Sequence, residues 1–208
     1  MKGLLLKDFY MTVKYCKLTL VVSGLFLVIS FFNETSLFFM FYPCMICGLI
    51  PSTLLAYDER SRWQQYSMTM PYSKAQIVSS KYLIGLVSQL LMLIVIAVAQ
   101  AIKMSTGGGF VLGDYLVTLM TVTVLSLFSS SVSLPFMFKL GVEKGRLVYY
   151  VMVGVACALS AVATVLLNGE TPQIVPLGSI LPVLCIVAVG VYALSWYLAI
   201  VFFKKREL

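Results

Sequence analysis

The chain alternates long apolar runs with short polar gaps, and the lengths of the runs are the first clue to its architecture. A helix rises about 1.5 Å per residue and the hydrocarbon core of a bilayer is about 30 Å thick, so uninterrupted apolar runs near 20 residues read as membrane spans. Residues 18–33, 37–56, 82–102, 115–138, 147–167 and 180–203 meet that description, predicting six transmembrane helices in one domain, 1–208. Residues 1–17 carry a different pattern: Leu6, Phe9, Val13 and Cys16 share one side of a helix, and Lys7, Tyr10, Lys14 and Lys17 the other. That predicts an amphipathic elbow helix lying along the inner leaflet; a plain basic flank is the competing reading.

The only long polar stretch between apolar runs is 57–81. Its charge is concentrated at the front, after which Trp63, Tyr66 and Met70 recur at helical spacing while Arg60 and Gln64 face water, the pattern of a short interfacial helix. Pro71 cannot extend that helix, and Ser73 followed three residues later by Gln76 has the form of a capping box opening the next one. The stretch is therefore predicted as helix, break, helix at a membrane edge.

Several spans carry polar or helix-breaking residues. Pro43, Gly48 and Pro51 predict kinks in the second span, tolerated only where neighbouring helices or a water-lined cavity satisfy the freed carbonyls. This span is the first candidate to line a path, and a bent helix fitted to its neighbours explains the pattern equally well. Serines in the fourth span, among them Ser126, Ser130 and Ser131 ahead of Pro135, either pack with a bend or form a polar transport surface. In the fifth span Gly154, Ala158 and Ala161 fall on one face, where small residues permit close approach of another chain or of a helix of the same chain.

Composition narrows the class. Apolar residues make up 61% of the chain and charged ones 11%, against about 25% in a soluble domain, which is the balance of an integral membrane protein. A net charge of +7 would suggest nucleic acid in a soluble chain, but these basic residues sit at the ends of apolar runs. All but Lys103 of the 15 basic residues fall on segments that share one side, so the positive-inside bias predicts both termini in the cytoplasm. No small-residue cleavage site follows the first apolar run, so no cleavable leader is expected.

The residues also exclude chemistry. With no histidine, Ser/His proteolysis, His-ligated metal sites and His proton relays are all removed. Cys44 and Cys47 form a CxxC in the middle of an apolar run, where packing thiols are expected in place of a redox or metal pair. None of the predicted spans contains a charge, which argues against coupling to an ion through a buried carboxylate. No phosphate-binding Gly-x-x-x-x-Gly-Lys-Ser/Thr run occurs, so ATP hydrolysis, if used, belongs to another subunit.

Asp58, Glu59, Arg60, Trp63, Tyr66, Pro71, Ser73, Ile77, Lys81 and Tyr82, in that order, resemble the first cytoplasmic loop of the small ABC-2 type permeases, the membrane halves of ATP-driven exporters. The run from Gly141 to Arg146 is similar to their second inner loop. The resemblance implies an all-α six-span protein with a cytoplasmic coupling helix between spans 2 and 3, working with a second permease subunit and a separate ATPase dimer. It implies an ATPase contact at Asp58, Glu59, Arg60, Arg62, Trp63, Tyr66 and Lys144. It also implies a central cavity bordered by positions such as Phe41, Pro43, Cys47 and Pro51, and a dimer contact through Gly154, Ala158 and Ala161. No cofactor is implied for this chain; ATP and Mg would sit on the partner. Within the family the pattern is most similar to permeases that expel amphipathic helical peptides from bacteria, so the expected cargo is such a peptide crossing the cell membrane. Lipids and hydrophobic antibiotics are alternative cargoes, and a non-transporting membrane scaffold or peptide-immunity protein is the alternative function.

Overall fold

The computed structural model describes residues 2–32, 36–67, 69, 73–106, 112–151, 154 and 177–205, and among them every regular element is helical. The helices are α1 (Lys2–Tyr15), α2 (Lys17–Phe32), α3 (Ser36–Gly48), α4 (Ile50–Arg60), α5 (Trp63–Ser67), α6 (Lys74–Thr106), α7 (Leu112–Leu140), α8 (142–151) and α9 (Leu177–Lys205). Among the described residues four helical stretches are long and apolar enough to cross a bilayer, and a fifth if the pair α1–α2, bent by 64° at Cys16, counts as one. This is an all-helical, multi-pass membrane architecture. The predicted fifth span, including Ala158 and Ala161, lies mostly outside the described residues.

Helix ends differ from the expected loop limits because polar residues extend helices past the hydrocarbon. The second predicted span runs on to Arg60, and α6 begins at Lys74 and continues to Thr106, 33 residues in all. Its start is the predicted capping box: Gln76 N–H donates to Ser73 Oγ at 3.2 Å and Ser73 N–H to Gln76 Oε1 at 3.2 Å. Within α6, Lys81 and Lys103 stand about 33 Å apart along the axis, close to the thickness of a hydrocarbon core. Val87, Leu91, Ile94, Val95 and Val98 lie between them on an exposed apolar stripe suited to lipid.

Between helices in lipid the hydrophobic drive is weak, so close packing and hydrogen bonds hold the bundle. Two buried clusters do the packing. One, near the basic end, joins α4, α6, α7 and α9 through Leu55, Ile77, Tyr82, Phe138, Tyr192 and Phe203. Tyr82 is its centre, with Trp196 stacked at 5.7 Å and Tyr192 edge-on at 5.4 Å. The other, deeper in the bundle, gathers Cys44, Cys47, Ile50, Ile84 and Val122. Gly85 lets α4 and α6 touch: a Cβ there would lie 2.6 Å from Pro51 Cγ. Cys44 and Cys47 are free, buried thiols within this packing.

Two helix prolines, Pro51 and Pro135, are answered by hydroxyls from neighbouring helices. Pro51 has no N–H for the carbonyl of Cys47, and Ser88 Oγ on α6 lies 3.1 Å from that oxygen. The chain also breaks at Leu49, where Ser52 N–H bonds back only to Leu49, and Ser130 Oγ on α7 reaches the Gly48 carbonyl at 3.3 Å. Pro135 likewise frees the carbonyl of Ser131, which accepts from Ser195 Oγ on α9 at 2.7 Å. Of the remaining serines of α7, Ser126, Ser131 and Ser133 bond to their own helix, as Ser131 Oγ does to Phe128 O at 2.8 Å, and Ser129 Oγ pairs with the Tyr149 hydroxyl on α8 at 2.5 Å. In this single chain Pro43, Cys47 and Pro51 are buried between helices and Phe41 is half-buried.

Candidate functional site

The helix ends at the basic end of the bundle converge on the two polar loops. At its heart is a ring of four alternating charges drawn from three elements. Lys81 Nζ on α6 lies 2.7 Å from Asp8 Oδ1 on α1 and 2.6 Å from Asp58 Oδ2 on α4. Lys7 Nζ lies 2.5 Å from Asp58 Oδ1 and 3.7 Å from Asp8 Oδ1. Ser80 Oγ donates to the second oxygen of Asp8 at 3.1 Å. Lys81 and Asp8 are 1% exposed, Asp58 2% and Lys7 27%, so the ring is nearly dry and its two ammonium groups balance its two carboxylates. Buried charge is tolerated only with such pairing, because removing either sign leaves the other uncompensated in a low-dielectric site. Burial pushes the Lys7 ammonium below its ordinary pKa and the nearby Lys81 adds to this, while Asp58 and Asp8 oppose it.

Lys7 also reaches α5, its Nζ standing 3.5 Å from the centroid of the Trp63 ring, a cation–π contact. Tyr15 of α1 stacks on Tyr57 of α4 at 4.4 Å. Helix α1 is thereby fixed to the polar loop near its middle and at its C-terminal end. Leu6, Phe9 and Val13, three of the four residues of the predicted apolar face, are exposed. Lys7, however, expected on the polar outer side with Tyr10 and Lys14, turns inward to Asp58. The helix has a third face that the two-sided reading missed: Leu4 and Asp8, one turn apart, are buried against the bundle. Cys16 is buried because the chain bends there and leaves the helix axis.

The residues expected at an ATPase contact divide into two groups. Asp58 is a buried member of the ring, and its carboxylate does not face outward. Glu59 turns toward the second loop, where its carboxylate accepts the Val142 N–H at 3.0 Å at the start of α8. Trp63 is half-buried beneath Lys7. Arg60, Arg62, Tyr66 and Lys144 are exposed. Between the end of α4 and the α7–α8 joint lies a cleft of about 660 Å³, lined among others by Glu59, Arg60, Glu143, Lys144 and Arg146. Gly141, with φ of 86°, makes the sharp joint that brings α8 alongside.

Asp8 and Lys7 were not singled out from sequence. A signal was present: an acidic residue among apolar ones on a membrane-edge helix needs a buried cation, and Lys81 begins an apolar run. Gly154 is exposed, while the other two positions of the small-residue face lie outside the described residues.

Apolar helices of bilayer length, joined at one end to a folded polar surface that holds the buried charges found among the described residues, define a multi-pass membrane protein. The chain belongs to the ABC-2 family of transporter proteins, whose family model matches residues 3–204. Such proteins are the membrane permease component of ABC transporters and normally pair with an ABC ATPase, which carries the catalytic domain. No curated protein and no solved structure matches the chain.

Proposed function

We propose that this chain is the permease subunit of an ATP-driven exporter in a bacterial cell membrane, moving amphipathic or hydrophobic substrates outward, with amphipathic peptides as the first cargo to test. A separate ATPase dimer docks on the cytoplasmic, basic end and supplies the energy, with ATP and Mg bound there, and two permease chains work together across the small-residue face that contains Gly154. The observation that carries the reading is the 660 Å³ cleft, because it joins the two loops that resemble the permease family and is walled by the end of a span on each side. Exposed Arg60, Arg62, Tyr66 and Lys144 beside it offer cationic and aromatic groups to a soluble partner. The peptide cargo rests on the likeness of Asp58–Arg60, Pro71–Ser73 and Lys81–Leu83 to the permease of the phenol-soluble-modulin exporter, and on spans without a mid-membrane charge.

The test is co-purification with ABC ATPases of the same genome co-expressed with this chain, followed by ATP hydrolysis with and without an amphipathic helical peptide. Arg60→Ala and Tyr66→Ala should weaken association or lower hydrolysis, and peptide should raise the wild-type rate. Failure of any ATPase to associate would overturn the exporter reading and favour a non-transporting scaffold; association without peptide stimulation would move the cargo to lipids or hydrophobic drugs.

A further inference from the structure

The four-charge ring goes beyond docking, because it ties together elements that the chain separates by dozens of residues. Lys7 and Asp58 are 51 positions apart, and Asp8 and Lys81 are 73 apart. Each lysine approaches both aspartates, so the ring is a closed circuit whose members cannot be exchanged for water one at a time: three of the four are 1–2% exposed. Opening it strands a charge in a dry site, whereas bending elsewhere is easy. Two joints are available on either side of the ring. One is Leu49, where the α3–α4 hydrogen-bond ladder is already interrupted, and the other is the 64° bend at Cys16. The ring therefore lies inside a rigid unit bounded by joints. Lys7 extends that unit to α5 through the Trp63 ring.

We propose that Lys7 is a positioning residue for energy coupling: with Asp8, Asp58 and Lys81 it locks the α5 segment onto the elbow helix, so that α1, α4, α5 and the start of α6 move as one body. The inference rests on the reading of this chain as a permease driven by a docked ATPase. Under it, force applied to α5 is delivered to α1 on the membrane surface, and the flexing is taken at Leu49 and Cys16. Lys7 is the member to change because at 27% exposure it is the one that water reaches, so the charge left by its removal is less costly than at the dry positions, while Lys81 still contacts both aspartates.

The experiment uses the full permease–ATPase complex with spin-labelled noncanonical residues at Tyr10 on α1 and Thr69 just past α5, both exposed. Pulsed electron paramagnetic resonance gives their distance distribution without nucleotide and after trapping with ATP and vanadate. In the wild type the distribution should stay narrow and unchanged between the two states. Lys7→Gln should broaden it and lower ATP hydrolysis by roughly two- to thirty-fold, the range typical of mutations along a coupling network, while the ATPase still co-purifies. Lys7→Arg, which keeps the charge, should restore both readouts. A wild-type distance that shifts on trapping, or a Lys7→Gln complex with an unchanged distribution and rate, overturns the inference and leaves the exporter reading intact. If no ATPase associates with the wild type, the exporter reading itself fails and this inference with it.

Discussion

Replacing Ser195 with alanine isolates what a serine on one helix does for a proline on another. Ser195 Oγ donates its single proton to the Ser131 carbonyl at 2.7 Å, so the Tyr82 hydroxyl 2.8 Å away must be the donor in their shared contact. The Ser131 carbonyl needs this outside donor because the residue four positions on is Pro135, which has no N–H. An unsatisfied buried carbonyl costs about 1–3 kcal/mol in general, and interhelical hydrogen bonds in membranes average about 0.6 and reach about 1.7 kcal/mol. The expected cost of Ser195→Ala is therefore about 1–2 kcal/mol. In a Pro135→Ala background the restored N–H takes over the Ser131 carbonyl and only the Tyr82 contact is lost, so the same substitution should cost about 0.5 kcal/mol. The coupling of about 1 kcal/mol is read by reversible unfolding in mixed micelles titrated with a denaturing detergent, with all four proteins compared at one lipid content. Equal cost in both backgrounds would refute the claim that the serine substitutes for the missing proline donor.

Other substitutions test other contacts. Gly85→Val drives a branched side chain against Pro51 and should separate α4 from α6, lowering stability by about 1–3 kcal/mol in the same titration; Gly85→Ala should cost less. Ser73→Ala removes one arm of the capping box and should cost about 1 kcal/mol, with faster amide exchange at Gln76 as the local signature. Asp8→Asn leaves the ring with two ammonium groups and one carboxylate, and should cost about 3–5 kcal/mol. Adding Lys7→Gln to it returns the ring to neutrality, so the double variant should be more stable than the single; a double variant less stable than Asp8→Asn would contradict the charge balance described for the ring.

Much of the architecture was legible because the bilayer imposes simple rules. Apolar runs near 20 residues located the helices now seen as α6, α7 and α9, and the Ser73–Gln76 pair marked the start of α6 through contacts only three residues long. The carbonyls freed by Pro51 and Pro135 were legible too, but the groups that satisfy them were not. Nothing local says whether a freed carbonyl meets water in a path or a hydroxyl such as Ser88 or Ser195; that depends on which helix lies alongside, and in this chain it is a helix with a serine at the right depth.

The basic end was the least legible part for the same reason. A two-sided helical wheel puts Lys7 with Lys14 on the polar face, and that is right for an isolated amphipathic helix on a membrane. Once α4 and α6 stand beside it, the alternatives for Lys7 change from headgroups to the Asp58 carboxylate, and a third, inward face appears around Leu4 and Asp8. Pairing across 51 and 73 residues cannot be read from spacing, yet charge counting narrows it: Asp8 and Asp58 at the edges of apolar segments each require a cation, and Lys7 and Lys81 hold the matching positions. The same logic separates the residues that the family resemblance pointed to. Asp58, Glu59 and Trp63 are used inside the protein, whereas Arg60, Arg62, Tyr66 and Lys144 are exposed and form the surface on which the proposed ATPase contact rests.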